Sequence, residues 1–230
     1  MLKKLQPKKI LLLTAAISLL STGMLFAAEE APTSLDGDTV EYDMETGIIK
    51  AQGDVLMIRG DAKVTGNEAE YNSKTKEGKV VGNVIAVQKN ARVTAQQVTS
   101  DANQHMIATG NVHGTMDDKT FIGEQVDYFQ PDEYVLIENR GTITSKDGSF
   151  TADTMEGYLK EEHLIGTGNV YVDSPVNSLI AGGDLLNYYG ANRGEAILTG
   201  NAWAVQHNNR LKSHKLTLHL AQNGKSTVSE

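Results

Sequence analysis

The chain has 230 residues with 21 Lys+Arg against 29 Asp+Glu, a formal net charge of −8. Lys3, Lys4, Lys8 and Lys9 supply four of the cations at the extreme N-terminus, so the remainder carries −12. A body that acidic lacks the field that neutralises phosphates, which argues against nucleic acid as a partner. The absence of Cys excludes thiol catalysis, disulfides and thiolate metal sites.

In chain order, the four lysines precede an apolar run from Ile10 to Leu20, then Ser21, Thr22 and Gly23, then Met24 to Ala28 and the acidic Glu29-Glu30. That order reads as a secretory signal peptide over residues 1–27, cut after Ala27 or Ala28. The competing reading is an uncleaved anchor, since Ile10 to Ala28 is just long enough to span a bilayer. Thr14, Ser18, Ser21, Thr22 and Gly23 dilute it. Both readings place the body outside the cytoplasm.

From there a repeat runs through the chain. The pattern small/apolar-x-Gly-Asn/Asp-Val occurs around Gly53, Gly82, Gly110 and Gly168, returns at Gly200 with Ala202 in the last place, and has a degenerate copy at Asn139-Arg140-Gly141. Successive glycines are 29, 28, 31, 27 and 32 residues apart. A second marker precedes each glycine: Tyr42, Tyr71, Tyr128, Tyr158 and Tyr189, with Thr99 in place of the missing one. Turn-rich stretches such as Ser73 to Gly78 and Gly190 to Gly194 separate the two markers. Each unit therefore reads as strand, turn, strand and a looser connection. Segments such as Val55-Leu56-Met57-Ile58 are β-rich and too short for helices, and Lys215 to Leu220 alternates polar and apolar residues. No helical period is sustained after residue 30, so the body is all-β.

Consecutive short units favour antiparallel neighbours stacked in chain order, an elongated object with a backbone bend at each marker glycine. Two sheet edges are left, around Thr39 to Tyr42 and around Lys215 to Leu220, the latter carrying Lys212 and Lys215. Edges attract further strands, so the end of one copy is expected to pair with the start of another, unless the edges are protected.

A signal peptide followed by Ala-x-Gly-Asn-Val units alternating with Asp-x-Val-x-Tyr-like strands resembles the OstA-like, or LptA, family of lipopolysaccharide-transport proteins, over residues 34–221. Residues 222–230 are left as a polar C-terminal tail. LptC and the N-terminal domain of LptD share that fold. The resemblance implies an open, V-shaped antiparallel β-jelly-roll in the periplasm whose apolar trough shields the acyl chains of lipopolysaccharide. It also implies copies joined head to tail, with LptC-like and LptD-like proteins at opposite ends. An LptC-like anchored component and a β-solenoid adhesin are the alternatives, and a carbohydrate-active β-helix enzyme is a third. The acidic body opposes a phosphorylated lipid at long range, and no Lys/Arg cluster marks a phosphate clamp; burial at about 0.8 kcal/mol per methylene works the other way.

Alternate side chains of a strand share a face. Counting from the marker glycines, positions −2, +2 and +4 collect Ala51, Val55, Met57, Val80, Val84, Ala86, Ala108, Val112, Val170, Val172 and Leu198, and position −4 adds Ile49, Met106, Ile137 and Leu164. These are the expected trough lining. Met57 and Met106 suit a variable guest because thioether chains repack easily. No catalytic, metal or cofactor site is expected. His105, His113, His163, His207, His214 and His219 are scattered and read as solvated surface, and Asp36-Gly37-Asp38 and Asp117-Asp118 read as polar turns. Glu41, Asp54 and Glu70 recur with the repeat instead of converging, the pattern of a wetted rim.

Overall fold

The computed structural model describes residues 33–229 except 60–61, 118, 191–192 and 220–226; the signal segment 1–27 lies outside the described residues. Among the described residues the one helical element is a 3-10 turn, Pro175–Asn177. Everything else regular is antiparallel β.

The strands are β1 (Thr33–Asp36), β2 (Thr39–Asp43), β3 (Ile48–Arg59), β4 (Ala62–Asn72), β5 (Gly78–Gln88) and β6 (Ala91–Ser100). There follow β7 (His105–Met116), β8 (Lys119–Phe129), β9 (Tyr134–Glu138), β10 (Gly141–Ser145), β11 (Gly148–Ala152) and β12 (Thr154–Tyr158). The series closes with β13 (His163–Ser174), β14 (Leu179–Tyr189), β15 (Glu195–Gln206), β16 (Asn209–His219) and β17 (Thr227–Ser229). Each long strand pairs with its neighbours in sequence. Three pairs of short strands replace long ones: β1 and β2 both pair with β3, β9 and β10 with β8, and β11 and β12 with β13. A repeat is thus one hairpin of two long strands. Its second connection is tighter than its first: Lys89-Asn90 and Lys146-Asp147 are two-residue turns where a looser link was expected.

Every long pairing shifts register once, near its middle. In the marker strands the shift is a Gly-Asn or Gly-Asp pair with both residues in the left-handed region, as at Gly82 (φ 83) and Asn83 (φ 49). Glycine adopts that region without strain, and Asn and Asp tolerate it better than other side-chain-bearing residues. A second constraint acts at the same glycines. A Cβ on Gly82 would lie 2.5 Å from the Asn67 side chain, and one on Gly200 would lie 2.4 Å from Asp184. The bend of each marker strand therefore rests on a polar residue from the adjoining segment before it: Asp38, Asn67, Gln96, Asp153 or Asp184. Asn169 Nδ2 donates to Asp153 at 2.6 Å and Asn201 Nδ2 to Asp184 at 2.9 Å, closing that contact.

The degenerate copy differs from its expected alignment. Its left-handed pair is Asn139 (φ 60) and Arg140 (φ 69), and Gly141 follows it in ordinary extended backbone. Arg140 holds this bend to a polar residue instead, with its backbone N–H on Asp153 O at 2.8 Å and its guanidinium 3.1 Å from the Asp153 carboxylate.

Because all the bends have one sense, the two halves of each strand face one another in a V, and the layers of this jelly-roll are the two arms. Phe150 of β11, in one arm, crosses to Gly166 of β13 in the other, where a Cβ would stand 2.3 Å from its ring. A single apolar cluster fills the space from Ala51 in β3 to Leu218 in β16. The sheet does not close on itself: among the described residues β1 and β2 pair only with β3, at one end. At the other, β16 is covered only over Thr217 to His219, by β17, which lies in the segment read as a polar tail.

Candidate functional site

The interior of the V is the candidate site. Inserting two left-handed residues into a strand preserves the odd-even parity of its side chains across the bend. Positions −2 and +2 therefore stay on one face although the chain turns between them. Of the residues expected to line the trough, Ala51, Val55, Met57, Val80, Val84, Ala86, Met106, Val112, Ile137, Leu164, Val170 and Leu198 are buried in the interior. Ala108 and Val172 are half-buried and pack against that cluster, and Ile49 is half-buried at the first strands. Their neighbours Leu56, Ile58, Ile85 and Val87 take the outer face, which sets the register of runs that are apolar on both sides. The strands without a marker glycine switch parity at their bend, and counting from the glycines misses what they bring inside. Those residues include Val64, Val93, Phe121, Val126, Phe150, Leu186 and Leu216. Half of the lining is therefore supplied by strands that carry no motif.

Turns border the two arms of the V at their free ends. One rim holds Ser73 to Glu77, Asp101 to Gln104, Gln130 to Glu133 and Leu159 to Glu162. Backbone bonds tie its turns together, as Ser73 N–H to Gly47 O at 2.9 Å and Gly190 N–H to Glu162 O at 2.7 Å. Just inside it lie the buried rings of Tyr128 and Tyr188, 1% and 2% exposed. Burial pushes the Tyr128 phenol up to about 12, helped by the charge of Glu133, and that of Tyr188 to about 12, helped by Glu162.

In the unfolded chain these phenols ionise near pH 10, and in the folded one near pH 12. Their contribution to stability is therefore complete below pH 10 and is lost as pH rises through 12. Denaturant melts across that window are expected to show falling stability, with a shallower fall in a Tyr128→Phe, Tyr188→Phe double variant. A pH dependence identical in the two proteins would refute the assignment.

The tyrosine markers do not share a face. Tyr128 points inward, whereas Tyr158 and Tyr189 point outward. On the outer face they join a cross-strand row of rings. His105 stacks on Phe129 at 4.0 Å, Phe129 meets Tyr134 at 5.5 Å, and Tyr134 meets Tyr158 at 5.0 Å. Tyr158 then stacks on His163 at 5.7 Å and His163 on Tyr189 at 4.5 Å, with Arg193 over the last ring. Two of the histidines read as solvated surface are thus half-buried members of a packed row; His105 also meets the buried Asp127 at 3.0 Å. Glu156 accepts from the hydroxyls of Tyr134 and Tyr158 at 3.0 and 3.2 Å. These rings cover one another's faces, so the row braces the arm. No cluster of three metal-ligating His, Asp or Glu side chains occurs among the described residues.

A family model described as LptA/(LptD N-terminal domain) LPS transport protein matches residues 63–224, the greater part of the V. Among solved structures, the chain is similar to LptH, the LptA homologous periplasmic component of the conserved lipopolysaccharide transport device from Pseudomonas aeruginosa. The TM-score is 0.42 and the identity 20%, over 45% of this chain and 80% of that one. No curated protein matches. The bent-strand repeat and the matched span together identify the chain as a member of the LptA/(LptD N-terminal domain) family of LPS transport proteins.

Proposed function

We propose that this chain works in the periplasm as a bridge that carries lipopolysaccharide between the two membranes, holding the acyl chains between the arms of the V while the sugars remain in water. The observation that carries this reading is the single apolar interior that runs from the first repeat to the last, with turns rather than strands along its rims. Its walls are buried against one another in this conformation, so a guest enters by parting the arms along the rims, where no backbone ladder has to break. Each methylene that moves from water to that interior contributes about 0.8 kcal/mol, which offsets long-range repulsion between lipid phosphates and the acidic body. The transfer is a non-covalent hand-over.

Along the chain of carriers, an LptC-like protein at one end and an LptD-like protein at the other would continue the same interior through the two sheet edges. The first edge exposes Val40, Tyr42 and Met44, at 47, 52 and 79%, among the exposed acids Asp36, Asp38, Glu41 and Asp43. Exposed Arg210, Lys212 and Lys215 mark the last. Acidic against basic favours head-to-tail union of two copies over head-to-head.

Two measurements test the proposal. Native mass spectrometry of the chain incubated with lipopolysaccharide is expected to show a bound lipid; a protein that stays free of lipid, and monomeric at every concentration, would overturn it. Sedimentation at increasing salt is expected to show weakening self-association, with a Lys212→Glu, Lys215→Glu variant impaired already at low salt. Association indifferent to both would refute the charge-paired edges.

A further inference from the structure

Among the described residues the polar groups buried in the interior lie near its rims, and at one stretch of rim three of them lack a partner. Ser100, the last residue of β6, and Tyr128, the penultimate residue of β8, lie on the same cross-strand row with Met106 between them. Both point inward, at 6% and 1% exposure, and neither the Ser100 Oγ nor the Tyr128 hydroxyl has a hydrogen-bond partner among the described residues. A third unpartnered atom lies two residues along the chain from Tyr128, where the strand enters its turn: the side-chain carbonyl Oε1 of Gln130. Buried polar atoms without partners are rare in folded proteins and costly, and three along one stretch of rim, at the ends of β6 and β8, call for a ligand group. Further along, the same row carries Val135, Leu164, Tyr188 and Ala196, and the buried Tyr188 is not among the unpartnered groups.

We propose that Ser100, Tyr128 and Gln130 form a polar stop in the acyl trough that hydrogen-bonds a hydroxyl or amide close to the head of a bound acyl chain. This rests on the acyl-shielding reading above and adds to it a position and a preference. The two hydroxyls can donate or accept, while the Gln130 carbonyl oxygen can only accept. A complementary group must therefore offer a donor as well as an acceptor, which a hydroxyl or a secondary amide does and a plain ester does not. The place also fits. The three residues sit where β6 and β8 meet the rim turns, so a chain whose tail lies among Val84, Val93 and Val126 would bring its polar head to them.

Titration of the full chain with 3-hydroxytetradecanoate and with tetradecanoate tests the idea. One satisfied hydrogen bond predicts roughly three- to tenfold tighter binding of the hydroxy acid by the unaltered protein. A Ser100→Ala, Tyr128→Phe double variant is expected to bind both acids alike, with its affinity for tetradecanoate undiminished. Equal binding of the two acids by the unaltered protein, or a preference that survives in the variant, would sink the polar stop alone. Failure of both acids to bind would sink the acyl-shielding reading together with it. Thermal melts give an independent check: Tyr128→Phe removes an unpaired buried hydroxyl and is expected to raise Tm, and a lowered Tm would show that the hydroxyl already has a partner.

Discussion

Gly82→Val is expected to lower stability by about 2–4 kcal/mol, among the largest effects of any single substitution in this chain. Two costs add there. Gly82 holds φ at 83, a region that a β-branched residue enters only with strain. The new Cβ would also stand 2.5 Å from the Asn67 side chain, on which the bend rests. Gly82→Ala should lose less, because it adds the contact without the branched side chain. Denaturant melts of the three proteins check the order, and a Gly82→Val protein that melts with the parent would refute the account of the bend. The degenerate copy supplies a reciprocal case. Arg140→Gly relieves a left-handed non-glycine residue at φ 69, but it removes the ion pair with Asp153. The pair is exposed and worth little, so the net change should stay within about 1 kcal/mol.

Phe150→Ala carries the second large effect. The ring is fully buried and is the piece of one arm that reaches Gly166 in the other. Truncation of such a side chain costs about 3–5 kcal/mol, from lost burial together with the cavity left behind. A cavity lined by apolar residues accepts an apolar guest. If acyl chains occupy this interior, tetradecanoate should raise the Tm of Phe150→Ala by more than it raises that of the parent. An equal shift in both proteins would place the lipid elsewhere on the molecule, and unchanged stability of the variant would mean that the arms do not depend on this contact.

Much of this was legible in the residues because bent β-strands leave two kinds of mark. Where both residues of a bend must be left-handed, sterics favour Gly followed by Asn or Asp, and that pair recurs at Gly53, Gly82, Gly110, Gly168 and Gly200. A strand buried on one face shows its parity, so Val55 with Met57 and Val84 with Ala86 could be assigned to one wall by counting. The alternate strands bend without a left-handed Gly-Asn or Gly-Asp pair, as at Gln96, and leave no such mark to count from. Phe121, Phe150 and Leu186 went unnoticed for that reason. At Asn139-Arg140 the motif was placed two residues too late, since a nearby Gly141 looked like the marker while the strain was borne by its neighbours.

By itself, then, the chain's local chemistry determined the class of structure, the period of its repeat, the bend and half of the wall, for each depends on residues within one strand. What only the tertiary structure decided depends on neighbours far apart in sequence. Asp153 meets Asn169, Phe150 reaches Gly166, the rings from His105 to Tyr189 stack into one row, and Ser100 and Tyr128 fall on one cross-strand row at the rim, either side of Met106. Such contacts arise from the register between strands and from the folding of one arm over the other, and neither is encoded in the pattern of any strand taken alone.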